Sequence, residues 1–480
     1  MKTNLVWLRN DLRLRDNAAL HFACKDPYAQ VLVVFIATPQ QWQKHDMSPR
    51  QAEFIRQHLC YLAAEFAKLG ITMHYHQCED FTDQLDWLAA FCQFEQVDHI
   101  FYNYQYEFNE RERDRQLARR LGNKTLCQGF DDGVLMPLYS INNSNQQMYK
   151  VYTPFRNAFL RRLEEQDLAC LPPPAPRARA AVDKICTITP FDYPTIVPGQ
   201  DYPVGEEAAL SRLRTFCHEQ HLLNYHYGCD IPALEVTSRL SAWLAIGVLS
   251  PRQCYQQLYQ QFLHVLTFRQ SFVFTWFNKL IWRDFYRHIM AAWPALCRNQ
   301  PFLSWARYVD WQQNDNLFDA WCSGLTGYPI VDAAMRQLVN TGWIHNRLRM
   351  ISASFLVKDL LIDWRRGERY FMLQLIDSDL AANNGGWQWV ASTGTDAAPY
   401  FRVFNPTTQG KRFDPGGAFI RRWLPELRRV PDIYLHQPNL WPGAQHTGLD
   451  YPQPIVDHNK ARARVLDVYA AAKARCMASR

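Results

Sequence analysis

Leu5-Val-Trp-Leu-Arg-Asn-Asp-Leu-Arg-Leu-Arg-Asp-Asn-Ala-Ala-Leu20 opens on a short apolar run, Leu5–Leu8, and crosses a charged stretch into an amphipathic segment, Asn17–Cys24. A short apolar run that gives way to a helical pattern is the signature of a buried strand feeding a helix. The alternation recurs: strands are predicted at Val31–Ala37, Ile71–His76, His99–Tyr104 and Thr125–Phe130, and helices at Pro49–Leu69, Asp80–Gln93 and Asn109–Leu121. That order makes a parallel, doubly wound, Rossmann-like sheet. No G-x-G-x-x-G follows the first strand, and G-x-x-x-x-G-K-[ST] occurs nowhere. The α/β fold therefore comes without the usual nucleotide fingerprint.

Beyond it, Leu171–Pro203 carries eight prolines, which exclude regular structure and mark a long connector over the surface. The expected division is an α/β domain at 1–130, a linker at 131–205 with a helix near 154–169, and an all-α domain at 206–480. Helices in the last part are predicted at Glu206–Gln220, Leu240–Ala245, Ser250–Gln261, Thr275–Trp293, Tyr328–Thr341, His345–Trp364 and Gly367–Leu375. Tryptophan use shifts with the fold class: three of sixteen lie before residue 200. A helical domain so rich in indole has an unusually aromatic core or uses its rings for stacking and electron transfer.

At 480 residues, with 48% hydrophobic and 20% charged residues, the chain is globular and long enough for two or three domains. No apolar run reaches membrane-spanning length, and the N-terminus does not read as a secretory signal. Thirteen scattered cysteines without Cys-x-x-Cys pairs suit a reducing cytoplasm and argue against disulfides and structural zinc. No metal is expected. The net charge of +6 permits an acidic partner without requiring one.

Five stretches carry possible chemistry. Asp377–Pro406 (DSDLAANNGGWQWVASTGTDAAPYFRVFNP) fits neither helical nor strand periodicity, and the Gly385–Gly386 pair permits close backbone approach to something flat; the plain alternative is a buried loop satisfying its own polar groups. Thr237-Ser-Arg-Leu-Ser241 sets hydroxyls and a guanidinium ahead of a helix, an anion site or simple N-capping. Trp276, Lys279, Arg283 and Tyr286, with Trp282 alongside, would make an aromatic helix face with cations set into it. Asn346, Arg347 and Arg349 fall in the first turns of a helix, where cations oppose the macrodipole and favour an anion. Seven Lys or Arg between Arg402 and Arg429, interleaved with Phe404, Phe413, Phe419 and Trp423, suit either a solvated face or nucleic acid.

Together these stretches resemble the photolyase/cryptochrome family, and most closely its bacterial class I cyclobutane pyrimidine dimer photolyases. The resemblance rests on LVWLRNDLRLRDNAAL, TGYPIVDAAMRQL, GWIHNRLRMISASFLVKDLLIDWR and DSDLAANNGGWQWVASTGTDAAPYFRVFNPTTQG, and covers nearly the whole chain. It implies FAD in the helical domain, its phosphates near Thr237, Ser238, Arg239, Leu240 and Ser241. Tyr225, Trp276, Arg349, Asp377 and Asp379 would line the flavin pocket, with Asn383 facing the flavin N5. Trp387, Trp364 and Trp311 match an indole chain that photoreduces the flavin. A pyrimidine dimer flipped out of UV-damaged DNA would meet Trp282, Trp389 and Met350, with Asn346 and Arg347 at the rim and Gln409 near the DNA. His45, Asn109, Glu110 and Arg298 match a 5,10-methenyltetrahydrofolate antenna site. The implied protein is a monomeric, cytoplasmic, blue-light-dependent DNA repair lyase.

Two positions depart from the family pattern. Lys279 stands where the family has a glutamate bonding the dimer base, and Cys229 where it has an arginine that helps hold DNA. Lys279 brings three donors and a positive charge, and Cys229 forfeits a charged contact. The expectation is an intact scaffold with impaired or retuned repair; the alternative is a repair-deficient, cryptochrome-like photoreceptor. Asn383, Trp282, Trp389, Met350 and Arg347 favour the enzyme. The paired histidines of (6-4) photolyases are absent.

Overall fold

The computed structural model describes residues 2–166, 168–177, 185–262, 271–444, 446 and 448–479. They form two compact units. The first comprises 1–223, 238–294 and 376–381, and the second 224–237, 295–375 and 382–480. The contacts therefore group 206–223 and 238–294 with the sheet rather than with the later helices.

In the first unit, β1 (Thr3–Leu8), β2 (Gln30–Ala37), β3 (Thr72–Gln77), β4 (His99–Asn103) and β5 (Leu126–Phe130) form one parallel sheet in the order β3-β2-β1-β4-β5. Every residue of β1 is buried, as a central strand covered on both faces requires. Helices Ala18–Ala23, Pro49–Lys68, Phe81–Phe94 and Phe108–Leu121 lie where they were expected; Pro39–Lys44 was not foreseen. Strand order reverses at β1 and β4, where open sheets of this kind leave a crevice for ligands. Here Arg9 fills that place: it pairs with Asp114 at 2.7 Å and lies 4.7 Å from the ring centres of both Trp7 and Tyr102.

Leu171–Pro203 has neither helix nor strand among its described residues. It is pinned to the first unit: Asp16 N–H donates to Leu171 O (2.9 Å), and Arg177 donates to the carbonyls of Asp26 (2.7 Å) and Ala29 (2.5 Å). The helix expected near 154–169 spans Tyr152–Glu164. The helix predicted at Glu206–Gln220 stops at Phe216, and another runs Glu219–Gly228. The long helix Phe272–Ala292 uses its buried Asp284 to accept from the backbone N–H of Leu135 and Met136.

The second unit is helical. Its core gathers Trp321, Trp364, Trp387, Phe355, Phe371, Leu348 and Leu356. Two predictions fail here. His345–Trp364 is not one helix: Asn346–Ser354 passes into a π-type turn, Phe355–Asp359, and Leu361 then takes a left-handed conformation (φ 55°). A new helix, Trp364–Gln374, starts with Asp363 accepting from Arg365 N–H. The supposed loop after Asp377 is largely helix, Leu380–Ala391, with Gly385 and Gly386 inside it; a Cβ on Gly386 would meet nothing. Helices Asp315–Ser323, Pro406–Phe413, Ala418–Trp423 and His458–Ala478 were also not foreseen.

Candidate functional site

A paired-amide arrangement explains why a segment with two Asn and two Gly is helical. Asn383 Nδ2 donates to the backbone carbonyl of Glu368 (2.9 Å), and Asn384 Nδ2 to the Glu368 carboxylate (2.8 Å); Asn384 Oδ1 accepts from Gln388 (2.9 Å). Tertiary bonds to Glu368 thus override poor helix propensity. A carbonyl only accepts, so the Asn383 amide nitrogen faces Glu368 and its Oδ1 is turned away, an orientation assigned from the bonding network. One turn on, Trp387 is 2% exposed, its ring 5.0 Å from Phe371 and 6.1 Å from Trp321. Trp364, 1% exposed, lies in the same cluster. Half-buried Trp311 touches both this cluster and a smaller one around Tyr469. The three indoles run from sealed core to partial exposure within contiguous apolar packing. Trp321 was missed by the sequence reading, since nothing in the pattern distinguishes it from other core indoles.

Elsewhere in the second unit, Asn346 is exposed while Met350, Trp389 and Gln409 are half-buried. The expectation that Arg347 and Arg349 wait for an external anion needs correction. Arg347 pairs with Asp230 at 2.5 Å and lies 4.5 Å from the Phe413 ring centre, and Arg349 Nε donates to Ile344 O (3.0 Å). Tyr225 is buried, which raises its pKa, and the charge of nearby Asp230 adds to the rise; Cys229 is half-buried, and none of the thirteen cysteines is in a disulfide. In the basic run, Arg421 pairs with Asp432 (2.6 Å) and Arg422 with Glu235 (3.0 Å), while Arg402 and Arg412 lie over Phe404 and Phe413. Thr237 is half-buried in a bend, and Arg298 is exposed at the end of the turn Pro294–Arg298.

The first unit holds the remaining candidates. Trp276 is buried 5.1 Å from Phe216. Trp282 stacks face to face on Tyr152, ring centres 3.6 Å apart, and the Tyr152 hydroxyl donates to Asn278 Oδ1 (2.5 Å). Lys279 is exposed while Trp276 is buried, so Lys279 is not set into an aromatic face, and half-buried Arg283 donates instead to Gly133 O (2.6 Å). Asp377 is buried and Asp379 half-buried. Their segment is latched by Gln51, which donates to Ser378 O (2.8 Å) and accepts from Ser378 Oγ (3.0 Å), and Asp379 pairs with Arg287. Arg239 adopts φ 54° and pairs with Asp201 (2.8 Å). The helix Ser241–Ala245 has no side-chain cap from Leu240 itself, while Ser238 Oγ lies 3.5 Å from Leu240 N–H and accepts from it.

At the N-terminal end of Phe108–Leu121, His45 Nε2 meets the amides of Gln41 (2.7 Å) and Asn109 (2.9 Å), and its Nδ1 meets Glu110 Oε1 (3.2 Å). Amide nitrogens only donate, which places the His45 proton on Nδ1, toward the carboxylate. Burial works against charge on His45, but the hydrogen bond and charge of Glu110 outweigh it and raise its pKa. Glu110 is itself held below its usual range by His45 despite burial, and Glu107, buried and beside the Glu110 charge, is pushed up to about 7. Glu110 Oε2 is buried with no hydrogen-bond partner among the described residues. A strong acceptor is thus left open beside three polar side chains.

Residues 4–177 match the DNA photolyase family and residues 276–471 the FAD binding domain of DNA photolyase. A deoxyribodipyrimidine photo-lyase of Salmonella typhimurium is 53% identical, over 98% of this chain and 99% of that protein. A class III photolyase from Agrobacterium tumefaciens matches with a TM-score of 0.85 and 33% identity, over 98% of each chain. A Synechocystis cryptochrome matches equally well in shape, TM-score 0.85, at 29% identity over 98% of this chain and 99% of that one. Shape alone does not separate repair from sensing. No helix among the described residues is long and apolar enough to cross a membrane.

Proposed function

The chain belongs to the DNA photolyase family, and from that premise we propose that it splits cyclobutane pyrimidine dimers in UV-damaged DNA under blue light, as a cytoplasmic monomer. The observation that supports the reading is the Asn383–Glu368 arrangement: with its amide nitrogen bonded to Glu368 O, Asn383 keeps its Oδ1 as an acceptor suited to a flavin N–H. Asp377 and Asp379, latched by Gln51, suit the polar edge of the flavin, with Tyr225, Trp276 and Arg349 as further lining and Thr237–Ser241 toward the phosphates. FAD, when bound, supplies the light-driven one-electron chemistry. Trp387, Trp364 and Trp311 bring electrons inward through packing that excludes water. Trp282 has one face covered by Tyr152, so a flipped base stacks on the other, with Trp389, Met350, Asn346, Arg347 and Gln409 shaping the lesion site.

Lys279 is exposed and free to swing toward phosphate, while Cys229 offers no charge to DNA. The cost falls on binding: a lost charged contact is worth about 1–3 kcal/mol, roughly five- to hundredfold in affinity. The test is a repair assay with photoreduced protein and an oligonucleotide carrying one thymine dimer, under blue light and in the dark. Light-dependent dimer loss by the native chain is expected, and Cys229→Arg should tighten DNA binding without raising the rate at saturation. No repair by the native chain, restored in Lys279→Glu/Cys229→Arg, would mean that the scaffold has turned to sensing.

The Glu110 Oε2 acceptor fits the amino and ring N–H donors of a reduced pterin, and we assign the methenyltetrahydrofolate antenna to His45, Asn109 and Glu110, with Arg298 as a further contact. Glu110→Gln should weaken folate binding by about ten- to a hundredfold, the worth of a charge-assisted hydrogen bond, read by equilibrium titration of the purified chain. Unchanged affinity would move the antenna elsewhere.

A further inference from the structure

Lys358 lies outside the flavin, lesion and antenna residues, and its placement is costly. It is 0% exposed, on the π-type turn Phe355–Asp359, and among the described residues no carboxylate pairs with it. The adjacent Asp359 turns instead to His458 (2.6 Å), and Arg464 bonds the Asp359 carbonyl (2.7 Å). Lys358 Nζ donates to Ser392 Oγ (2.9 Å) and lies within 3.5 Å of Tyr400 O and 4.2 Å from the ring centre of Tyr469. The helix His458–Ala478 brings a second cation: Lys473 lies 3.6 Å from the Tyr400 ring centre and 5.1 Å from that of Trp305. Burial, and then the charge of Lys473, push Lys358 down to about 7. A fully buried lysine without a counter-ion is kept against its desolvation cost.

What it faces gives the reason. The Tyr469 ring stands edge-on to Trp311, 6.0 Å between centres, and 5.5 Å from Trp305. The Tyr469 hydroxyl donates to Ala391 O (3.0 Å), and an amide carbonyl is no base. Tyr469 therefore touches the outermost indole yet has no group to take its proton, while a cation sits over its ring. We propose that Lys358 is a positioning residue for the indole relay, an electrostatic stop whose ammonium sets the energy of a positive hole on Trp311 and keeps that hole from spreading to Tyr469. The step is a pure electron transfer: an electron leaves Trp311 for an oxidised Trp364, which returns to the neutral indole, the hole moves to Trp311, and no proton crosses to Lys358. Protonated Lys358 raises the energy of the hole and hastens return of the electron; neutral Lys358 lets the hole persist.

This proposal rests on the relay reading of Trp311, Trp364 and Trp387. It is tested by transient absorption on the FAD-loaded chain from pH 6 to 9, following the oxidised-indole signal. The native protein should show a lifetime about tenfold longer at the alkaline end, with a midpoint near neutrality. Lys358→Met, a near-isosteric apolar change, should hold the long lifetime at every pH. Lys473→Gln, which removes the neighbouring charge and leaves Lys358 in place, should move the midpoint upward. A pH dependence that survives in Lys358→Met, or a native lifetime flat with pH, would overturn the stop. Trp311→Phe separates the two ideas: if it leaves the signal untouched the relay reading falls, and the stop with it.

Discussion

Replacing Asp132 with alanine should destabilise the first unit by about 3–5 kcal/mol, the cost of removing one partner from a buried ion cluster. Asp132 is buried between Arg13 and Arg252 and also accepts from Ala18 N–H (3.3 Å). Arg252 reaches Asp16 as well (3.0 Å), and Asp16 accepts from Ser250 Oγ. Burial pushes the Asp132 pKa up, but the charges of Arg13 and Arg252 more than offset it and hold the carboxyl below its usual value. A depressed folded pKa fixes the sign: this stabilisation is present above the unfolded value of 3.8 and is lost as pH falls through the folded value. Without the carboxylate, Arg13 keeps the carbonyls of Asp16 and Gly247 but loses its ion pair with Asp132. Urea unfolding at pH 7 should show the loss as a lower midpoint at unchanged slope. Asp132→Asn, which preserves shape and one acceptor, should recover part of it; equal stability of all three proteins would mean that the cluster is not a unit.

The sheet was readable because central parallel strands are continuous apolar runs, as Leu5–Leu8 and Val31–Ala37 are. The missing glycine fingerprint also has a structural counterpart, since Arg9 stands where a nucleotide would. Leu380–Ala391 was unreadable from local preference. Its helix depends on Asn383, Asn384 and Gln388 finding Glu368 and one another, and Glu368 belongs to a separate helix. The break at Leu361 was hidden because neither glycine nor proline announces it; the Leu361 carbonyl is held by Gln312 N–H at 2.8 Å, a distant partner. Arg347 looked unanswered for the same reason, its Asp230 lying over a hundred positions away. His458–Ala478 was within reach: Ala461, Val465, Tyr469, Ala472 and Cys476 recur every three or four residues and are its buried positions. Candidate site residues were legible as residue types in unusual strings, whereas Lys358, next to Asp359 in an otherwise apolar run, gave no sign of being buried until the packing placed Tyr469 beside it.

Gly367→Ala should be the most damaging small substitution in the second unit, although alanine is the better helix former by about 1 kcal/mol. Gly367 is buried in the helix Trp364–Gln374, and a Cβ there would run into the six-membered ring of Trp387 and to 2.6 Å from Leu356 Cδ2. The indole has no free side to move toward, being packed against Phe371 and Trp321. Overpacking of this kind costs about 1–3 kcal/mol, which cancels or exceeds the helix gain. The proposed relay feels it too: a displaced ring changes the distance an electron must cross, so light-driven flavin reduction should slow as stability falls. Trp387→Phe removes the indole proposed for the relay and the atoms a methyl would strike. The double variant should therefore regain most of the stability lost in Gly367→Ala while remaining as slow in photoreduction as Trp387→Phe alone, a coupling that a double-mutant cycle resolves. Thermal unfolding and flash photoreduction on the same four proteins decide it. Photoreduction that returned with stability in the double variant would show that Trp387 fills space beside the flavin and carries no electron.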